Sequence, residues 1–139
     1  KTNAIIGGEG NGGIIYPELH YGRDSLVGVA LFLTHLAGMN QTVAELRANY
    51  PQYFMSKNKI ELTPEIDVDA ILKAMTDKYQ HEDISTIDGV KIDFASEWVH
   101  LRKSNTEPII RIYTEAPNQA AADALALRII DEIKAIAGI

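Results

Sequence analysis

The residues best suited to chemistry lie in a short polar stretch, residues 101–108, between two runs that alternate like β-strands. Its donor side chains are Arg102, Ser104, Asn105 and Thr106. A guanidinium group presents a rigid fork of N–H donors that matches phosphate oxygens in pairs. The hydroxyl and amide groups add donors, and a tight turn can aim backbone N–H groups at an anion. The stretch is a candidate phosphate-binding loop, although its composition is equally typical of an ordinary turn.

A second polar stretch, residues 7–13, holds half of the chain's ten glycines. Positions 8–13 satisfy the letters Gly-x-Gly-x-x-Gly of a dinucleotide-binding turn, but that turn must open a helix. Here an extended run ending in proline follows, at residues 14–17, so we reject that interpretation. The stretch then presents Glu9 and Asn11 on a flexible backbone, which suits hydrogen bonds to neighbouring hydroxyl groups such as those of a sugar. A simple glycine-rich connector is the alternative.

Composition limits the possible partners of the chain. It has 139 residues, a net charge of −6 and a pI near 5.1, with no basic run, which argues against nucleic acid or an anionic membrane as partner. The absence of cysteine excludes thiolate metal sites and is compatible with the cytoplasm. The longest apolar segment, residues 26–37, is too short to span a bilayer. Because the sequence starts with Lys1 and runs directly into apolar residues, we expect it to be a piece of a longer chain.

The first elements must position the glycine-rich stretch. Residues 4–6 predict a buried strand, and residues 26–37 predict a helix that is apolar nearly all round, hence deeply buried, and ends at Gly38. Asp24 or Ser25 is its predicted N-cap, and a capping box at Thr42 opens a second helix. The connector between these helices predicts a domain boundary between residues 39 and 40.

Beyond that boundary the pattern predicts the order β-α-β-β-β-α, an α+β domain in which two helices cover one face of a small antiparallel sheet. The predicted strands lie within residues 53–62, 90–94, 98–103 and 109–114, with a further short strand possible at 84–87, and the helices follow residues 64 and 118. In the two strands that flank the polar stretch, aliphatic residues alternate with polar ones. If the aliphatic set faces the helices, Arg102 and Arg111 share the open face, where an anion could lie.

Together these motifs resemble the α-D-phosphohexomutase family, which contains the phosphoglucomutases, phosphomannomutases and phosphoglucosamine mutases. Residues 8–13, Gly-Glu-Gly-Asn-Gly-Gly, resemble the sugar-binding loop of the family's third domain, and residues 102–108, Arg-Lys-Ser-Asn-Thr-Glu-Pro, resemble the phosphate-binding loop of its fourth. The resemblance implies that residues 1–39 are the C-terminal segment of a third, α/β domain. Residues 40–139 would be the fourth, α+β domain.

The resemblance also implies roles for six residues. Glu9 and Asn11 would hold sugar hydroxyl groups, and the phosphate that is not transferred would be held by Arg102, Ser104, Asn105 and Thr106. The whole enzyme would interconvert hexose 1-phosphate and hexose 6-phosphate through a phosphoserine, with Mg²⁺ as cofactor.

The family's phosphoserine loop and metal loop are not in this sequence and would lie in N-terminal domains of the same chain. We therefore assign no catalytic and no metal-binding residue here, and we expect the fragment to be inactive alone. Its partners would be a hexose phosphate and those N-terminal domains. The competing hypothesis is a non-enzymatic α+β module that binds an anionic metabolite or a protein. The identity of the hexose stays open.

Overall fold

A computed structural model describes residues 3–8, 12–63, 66–104 and 106–139 of the chain. Packing divides it into two compact units, Lys1–Pro51 and Gln52–Ile139. The predicted domain boundary, between residues 39 and 40, falls inside the first of these units. Because the units are defined by packing alone, that boundary stays a prediction.

The first unit contains a short hairpin and two helices. Its elements are β1 (Gly7–Gly8), β2 (Ile14–Ile15), α1 (Ser25–Met39) and α2 (Val43–Ala48). β1 and β2 pair antiparallel, with Gly7 opposite Ile15 and Gly8 opposite Ile14. The Asp24 side chain caps α1 by accepting from the N–H groups of Leu26 and Val27 at 2.9 and 3.1 Å. The capping box of Thr42 and Glu45 opens α2, as predicted.

Two predicted boundaries in this unit are wrong. Residues 4–6 form no strand, and Ile5 is 76% exposed, because pairing with β2 begins only at Gly7. α1 continues past Gly38 to Met39, and its C-cap is Asn40, whose φ of 49° lies in the left-handed region. Asparagine is one of the few residues besides glycine that adopts this conformation readily, so the helix needs no glycine to end.

The predicted deep burial of α1 is also wrong. None of its residues is buried, and Leu26, Val29 and Leu33 are 79%, 54% and 54% exposed. The helix does approach the hairpin closely at Gly28, where an added Cβ would lie 2.6 Å from Cγ1 of Ile14. The apolar sequence of α1 therefore predicts a surface that favours burial, but the described part of the chain leaves that surface exposed.

The second unit is a five-stranded antiparallel sheet with two helices, which confirms the predicted α+β class. Its elements are β3 (Phe54–Glu61), α3 (Val68–Lys78), β4 (Asp83–Ser85), β5 (Val90–Asp93), β6 (Trp98–Lys103), β7 (Ile109–Ala116) and α4 (Gln119–Ala137). The strands lie in the order β3-β7-β6-β5-β4. The sheet has one strand more than the core pattern predicted, because the short run near residue 84 pairs with β5 as β4.

One face of the sheet and the inner stripes of α3 and α4 form the core. Its fully buried aliphatic residues include Met75, Ile92, Val99, Leu101, Ile110, Ile112, Ile129 and Ile133. Among the described residues of the core, Thr114 is polar and fully buried. Its Oγ1 donates a hydrogen bond to the carbonyl of Ala122 at 2.8 Å. This bond ties β7 to the first turn of α4, since a buried hydroxyl without a partner would be costly.

The C-terminal end of α3 is joined to α4 by a buried phenol. The hydroxyl of Tyr79 donates to the carboxylate of Glu132, with oxygen distances of 3.0 and 2.9 Å, and Lys78 lies 3.1 Å from the same carboxylate. Burial, followed by the hydrogen bond to Glu132, raises the pKa of Tyr79 to about 12. The native state therefore holds this phenol in its neutral form.

The turn between β4 and β5 requires a glycine. Gly89 has a φ of +73°, and an added Cβ would lie 2.2 Å from the carbonyl oxygen of Leu101 and 3.2 Å from Cα of Arg102. The turn backbone is thus pressed directly onto β6. A side chain at position 89 would be strained and would also collide with backbone.

We expect the free energy of unfolding to fall between about pH 10 and pH 12 through Tyr79. Its pKa rises from 10.0 to about 12 on folding, so the stabilisation is complete below pH 10 and is lost as the pH rises through the folded value. Urea unfolding across this range should show a steeper decline for the natural protein than for Tyr79→Phe. Parallel declines would contradict the assignment.

Gly89→Ala should destabilise the second unit by about 2 kcal/mol more than the control Gly138→Ala. Gly138 has the same φ of +73°, but no atom lies within 4 Å of its added Cβ, so the control isolates the conformational term. The single tryptophan, Trp98 on β6, reports unfolding of this unit by fluorescence. Equal losses in the two variants would show that the close contact with β6 is unimportant.

Candidate anion-binding site

The register of β6 and β7 places two arginines side by side. Arg102 pairs directly with Arg111, and neither is buried. The intervening aliphatic residues, Val99, Leu101, Ile110 and Ile112, are fully buried on the helix side. The predicted sharing of the open face by Arg102 and Arg111 is confirmed by this register.

A third cation extends the pair onto the edge strand. The register of β3 and β7 sets Lys59 opposite Arg111, so Lys59, Arg111 and Arg102 form a row across three adjacent strands, which we call the cation row. Both ends of the cation row have acidic neighbours. Lys59 lies 2.7 Å from Glu61, which raises the pKa of Lys59, and Nε of Arg102 lies 3.3 Å from Asp88.

The middle of the cation row is less well compensated. Arg111 has a cation directly opposite on each side, and like charges in that position destabilise a sheet. Among the described residues, the ion pairs of the cation row involve only Lys59 and Arg102. An anion bound next to Arg111 would therefore reduce this like-charge repulsion.

The loop that follows β6 brings two hydroxyl groups to the end of the cation row. The N–H of Ser104 donates to the carbonyl of Ile109 at 3.1 Å, closing the hairpin. The hydroxyl oxygens of Ser104 and Thr106 are 3.5 Å apart, and the N–H of Thr106 lies 3.4 Å from the Ser104 hydroxyl. A cavity of about 210 Å³ is lined by Arg102, Lys103, Ser104, Thr106 and Arg111.

The structure thus brings together three of the six predicted site residues, Arg102, Ser104 and Thr106, around one cavity. The other three, Glu9, Asn11 and Asn105, lie outside the described residues. The chemistry of the cavity is that of an anion site, because its lining combines guanidinium donors with hydroxyl donors and carries no carboxylate among the described residues. Phosphate oxygens fit this donor set.

Lys103, the last residue of β6, forms an ion pair with α3. Its Nζ lies 2.7 Å from the carboxylate of Asp69 in the first turn of α3. Asp67 caps the same helix by accepting from the N–H groups of Asp69 and Ala70. These contacts account for the presence of both Asp67 and Asp69 at the start of α3. The described residues contain no group of three or more His, Cys, Asp or Glu side chains suited to a metal ion.

Sequence reasoning missed two residues next to the site. Lys59 lies in a predicted strand, but its position opposite Arg111 depends on a strand pairing between residues far apart in sequence. Asp88 precedes a glycine, a pair of residues typical of turns, and its carboxylate contacts Arg102. The dipeptide is a signal for the turn, but only the close approach of Gly89 to β6 reveals which side chain Asp88 contacts.

Comparison with known proteins identifies the family of both units. A family model described as "Phosphoglucomutase/phosphomannomutase, C-terminal domain" matches residues 56–132. The chain belongs to this family. A second model, "Phosphoglucomutase/phosphomannomutase, alpha/beta/alpha domain III", matches residues 1–53. The resemblance seen in the two loops is therefore confirmed over most of the chain.

Relatives in the phosphoglucomutase/phosphomannomutase family are longer than this chain. It is 41% identical over 136 residues to a phosphoglucosamine/phosphogalactosamine mutase of Sulfurisphaera tokodaii, covering 96% of this chain and 29% of that protein. It is 37% identical to a phosphoglucomutase/phosphomannomutase of Thermococcus kodakarensis, covering 88% of this chain and 27% of that protein.

A solved structure extends the likeness to three dimensions. A phosphoglucomutase/phosphomannomutase family protein from Burkholderia thailandensis is similar with a TM-score of 0.73 and 26% identity, covering 96% of this chain and 29% of that one. The chain thus spans less than a third of the length of these relatives. None of the helices that the structure describes has the length and apolarity needed to cross a membrane.

Arg111→Gln should raise the free energy of unfolding by about 0.2–1 kcal/mol in a dilute chloride buffer, because it removes like charges that face each other across two strand pairs. Added inorganic phosphate should then stabilise the natural protein more than the variant. The control is Lys57→Gln, since Lys57 lies opposite Tyr113 and 5.8 Å from its ring rather than opposite a cation. A loss of stability in Arg111→Gln without phosphate would contradict this account.

Proposed function

We propose that this chain is the substrate-gripping part of a phosphohexomutase, and that it binds the phosphate group that is not being transferred. The observation that carries the proposal is the cation row ending at a cavity that two hydroxyl groups also line. Membership in the phosphoglucomutase/phosphomannomutase family supports it, since the named relatives are mutases of hexose phosphates.

In this proposal Arg102 is the principal anchor. Its side chain is half-exposed, and the contact with Asp88 engages Nε, which leaves the terminal N–H groups of the guanidinium fork for a phosphate. Arg111 adds a second guanidinium directly opposite. Ser104 and Thr106 supply hydroxyl donors on the loop side, and by family resemblance Asn105 supplies an amide.

The contribution of this site to the reaction is positioning. Holding the distal phosphate at several points fixes the sugar, so that the reacting oxygen stays near its target. By family resemblance Glu9 and Asn11 would hold sugar hydroxyl groups. The interconversion of hexose 1-phosphate and hexose 6-phosphate through a phosphoserine is assigned to residues elsewhere in the full-length protein.

The cofactor of the proposed reaction, Mg²⁺, would also be held elsewhere. The described residues contain no group of three or more His, Cys, Asp or Glu side chains that could hold a metal ion. We also propose that N-terminal domains of the full-length protein cover the apolar surface of α1. The exposure of that surface in the described part of the chain supports this proposal. We also propose a cytoplasmic location, with which the cysteine-free composition is compatible.

Arg102→Ala should weaken hexose phosphate binding by the full-length protein by about tenfold to a hundredfold, because a hydrogen bond to a charged group contributes roughly 1.5 to 3 kcal/mol. Arg102→Lys should recover only part of the loss, since it keeps the charge but not the fork. The free energy of unfolding should change little, because the Arg102 side chain is 52% exposed.

The control is Lys73→Ala, which removes a cation paired with Asp77 on the outside of α3. Mutase assays with the phosphates of glucose, mannose and glucosamine would identify the hexose, and the 139-residue chain alone should show no turnover. If Arg102→Ala has normal kinetic constants but a lower melting temperature, Arg102 has a structural role and the proposal is contradicted. Phosphate binding without turnover in the full-length protein would favour the non-enzymatic module.

A further inference from the structure

We propose that Asp88 is a built-in counter-ion of the phosphate site: it neutralises Arg102 when the site is empty and competes with the ligand phosphate when the site fills. The inference rests on the proposed function, because it concerns the affinity of that same site. In this inference the carboxylate of Asp88 lowers the affinity of the site for phosphate below the value that the cation row alone would give.

The first support is that the turn carrying Asp88 is fixed to β6 at two points. Gly89 brings the turn backbone against the carbonyl of Leu101 and Cα of Arg102, so closely that no Cβ would fit. The carbonyl of Asp88, in the peptide bond that joins it to Gly89, lies 2.5 Å from Nε2 of His100. Because a carbonyl oxygen can only accept, Nε2 of His100 carries the proton and donates it. Backbone contacts therefore place the Asp88 carboxylate next to Arg102.

The second support is the geometry of the ion pair. Oδ2 of Asp88 lies 3.3 Å from Nε of Arg102, and both side chains are more than half exposed. The carboxylate thus approaches the guanidinium from its Nε side while a phosphate would use the terminal nitrogens. An ionised carboxylate has no proton to donate to phosphate oxygens, so its effect on a nearby anion is repulsive.

The third support is the arrangement of charge along the cation row. Acids stand at its two ends, Glu61 at Lys59 and Asp88 at Arg102, while Arg111 lies in the middle. The cavity that the hydroxyl groups line is at the Arg102 end. Asp88, rather than Glu61, is therefore the acid that contacts an arginine of the proposed phosphate cavity.

The variant Asp88→Asn separates charge from geometry. The asparagine oxygen can accept the same hydrogen bond from Nε of Arg102, but the side chain is neutral. If Asp88 served only to hold the turn or the arginine, the Asp88→Asn variant would bind phosphate no better than the natural protein. If Asp88 competes with phosphate, removal of its charge strengthens binding.

The experiment is calorimetric titration of the full-length protein with inorganic phosphate in a dilute chloride buffer. We expect Asp88→Asn to bind phosphate about threefold to tenfold more tightly, the effect of removing one exposed like charge a few ångströms from the ligand. The gain should shrink in about 0.3 M chloride, because salt screens exposed charges. Urea unfolding of the full-length variant, followed by circular dichroism, confirms that it is folded.

The matched control is Asp77→Asn, which changes the net charge by the same amount but removes an acid paired with Lys73 at 2.6 Å on α3. It should bind phosphate as the natural protein does. An equal gain in Asp77→Asn, or no gain in Asp88→Asn, would overturn the inference.

A double-mutant cycle with Arg102→Ala tests the competition itself. The gain from Asp88→Asn should be smaller when Arg102 is absent, and an equal gain in both backgrounds would show general repulsion instead of competition for that arginine. The same set separates the two proposals. If neither Arg102→Ala nor Asp88→Asn alters phosphate binding, the proposed function fails. If Arg102→Ala weakens binding but Asp88→Asn does not strengthen it, only the counter-ion inference fails.

Discussion

The two-residue period of β6 and β7 is the constraint on which the candidate site depends. Burying Val99 and Leu101 against the helices leaves no choice about where Arg102 points, since successive side chains of a strand alternate between faces. The pairing with β7 then sets Arg111 opposite. Core packing and the candidate anion site are two outcomes of one register. A shift by a single residue would expose the aliphatic side chains and bury the guanidinium groups, which is costly on both counts.

Local signals were sufficient for most of the fold and for bringing three of the six predicted site residues, Arg102, Ser104 and Thr106, to one cavity. Alternation gave the faces of β6 and β7, and cap chemistry gave the starts of α2 and α4 at Thr42 and Asn118. These features depend on residues a few positions apart, so the sequence displays them directly. Arg102 and its neighbouring hydroxyl groups belong to the same class, because one hairpin contains them all.

The remaining features depend on contacts between distant segments. Lys59 joins the cation row only because β3 pairs with β7 across about fifty residues of sequence. Asp88 meets Arg102 only because Gly89 can lie against β6. The exposure of α1 is a different case: hydrophobicity predicts that its surface favours burial, but the described residues leave that surface exposed.

Gly89 couples two properties that are usually selected separately. Its missing side chain lets the turn reach β6, and that same approach sets the distance between a carboxylate and an arginine of the anion cavity. A substitution at position 89 would therefore alter both folding and the proposed anion site, whereas one at position 138, with the same φ and open space around it, would alter only the end of a helix. The same missing side chain thus decides whether the turn can form and how far a carboxylate lies from Arg102.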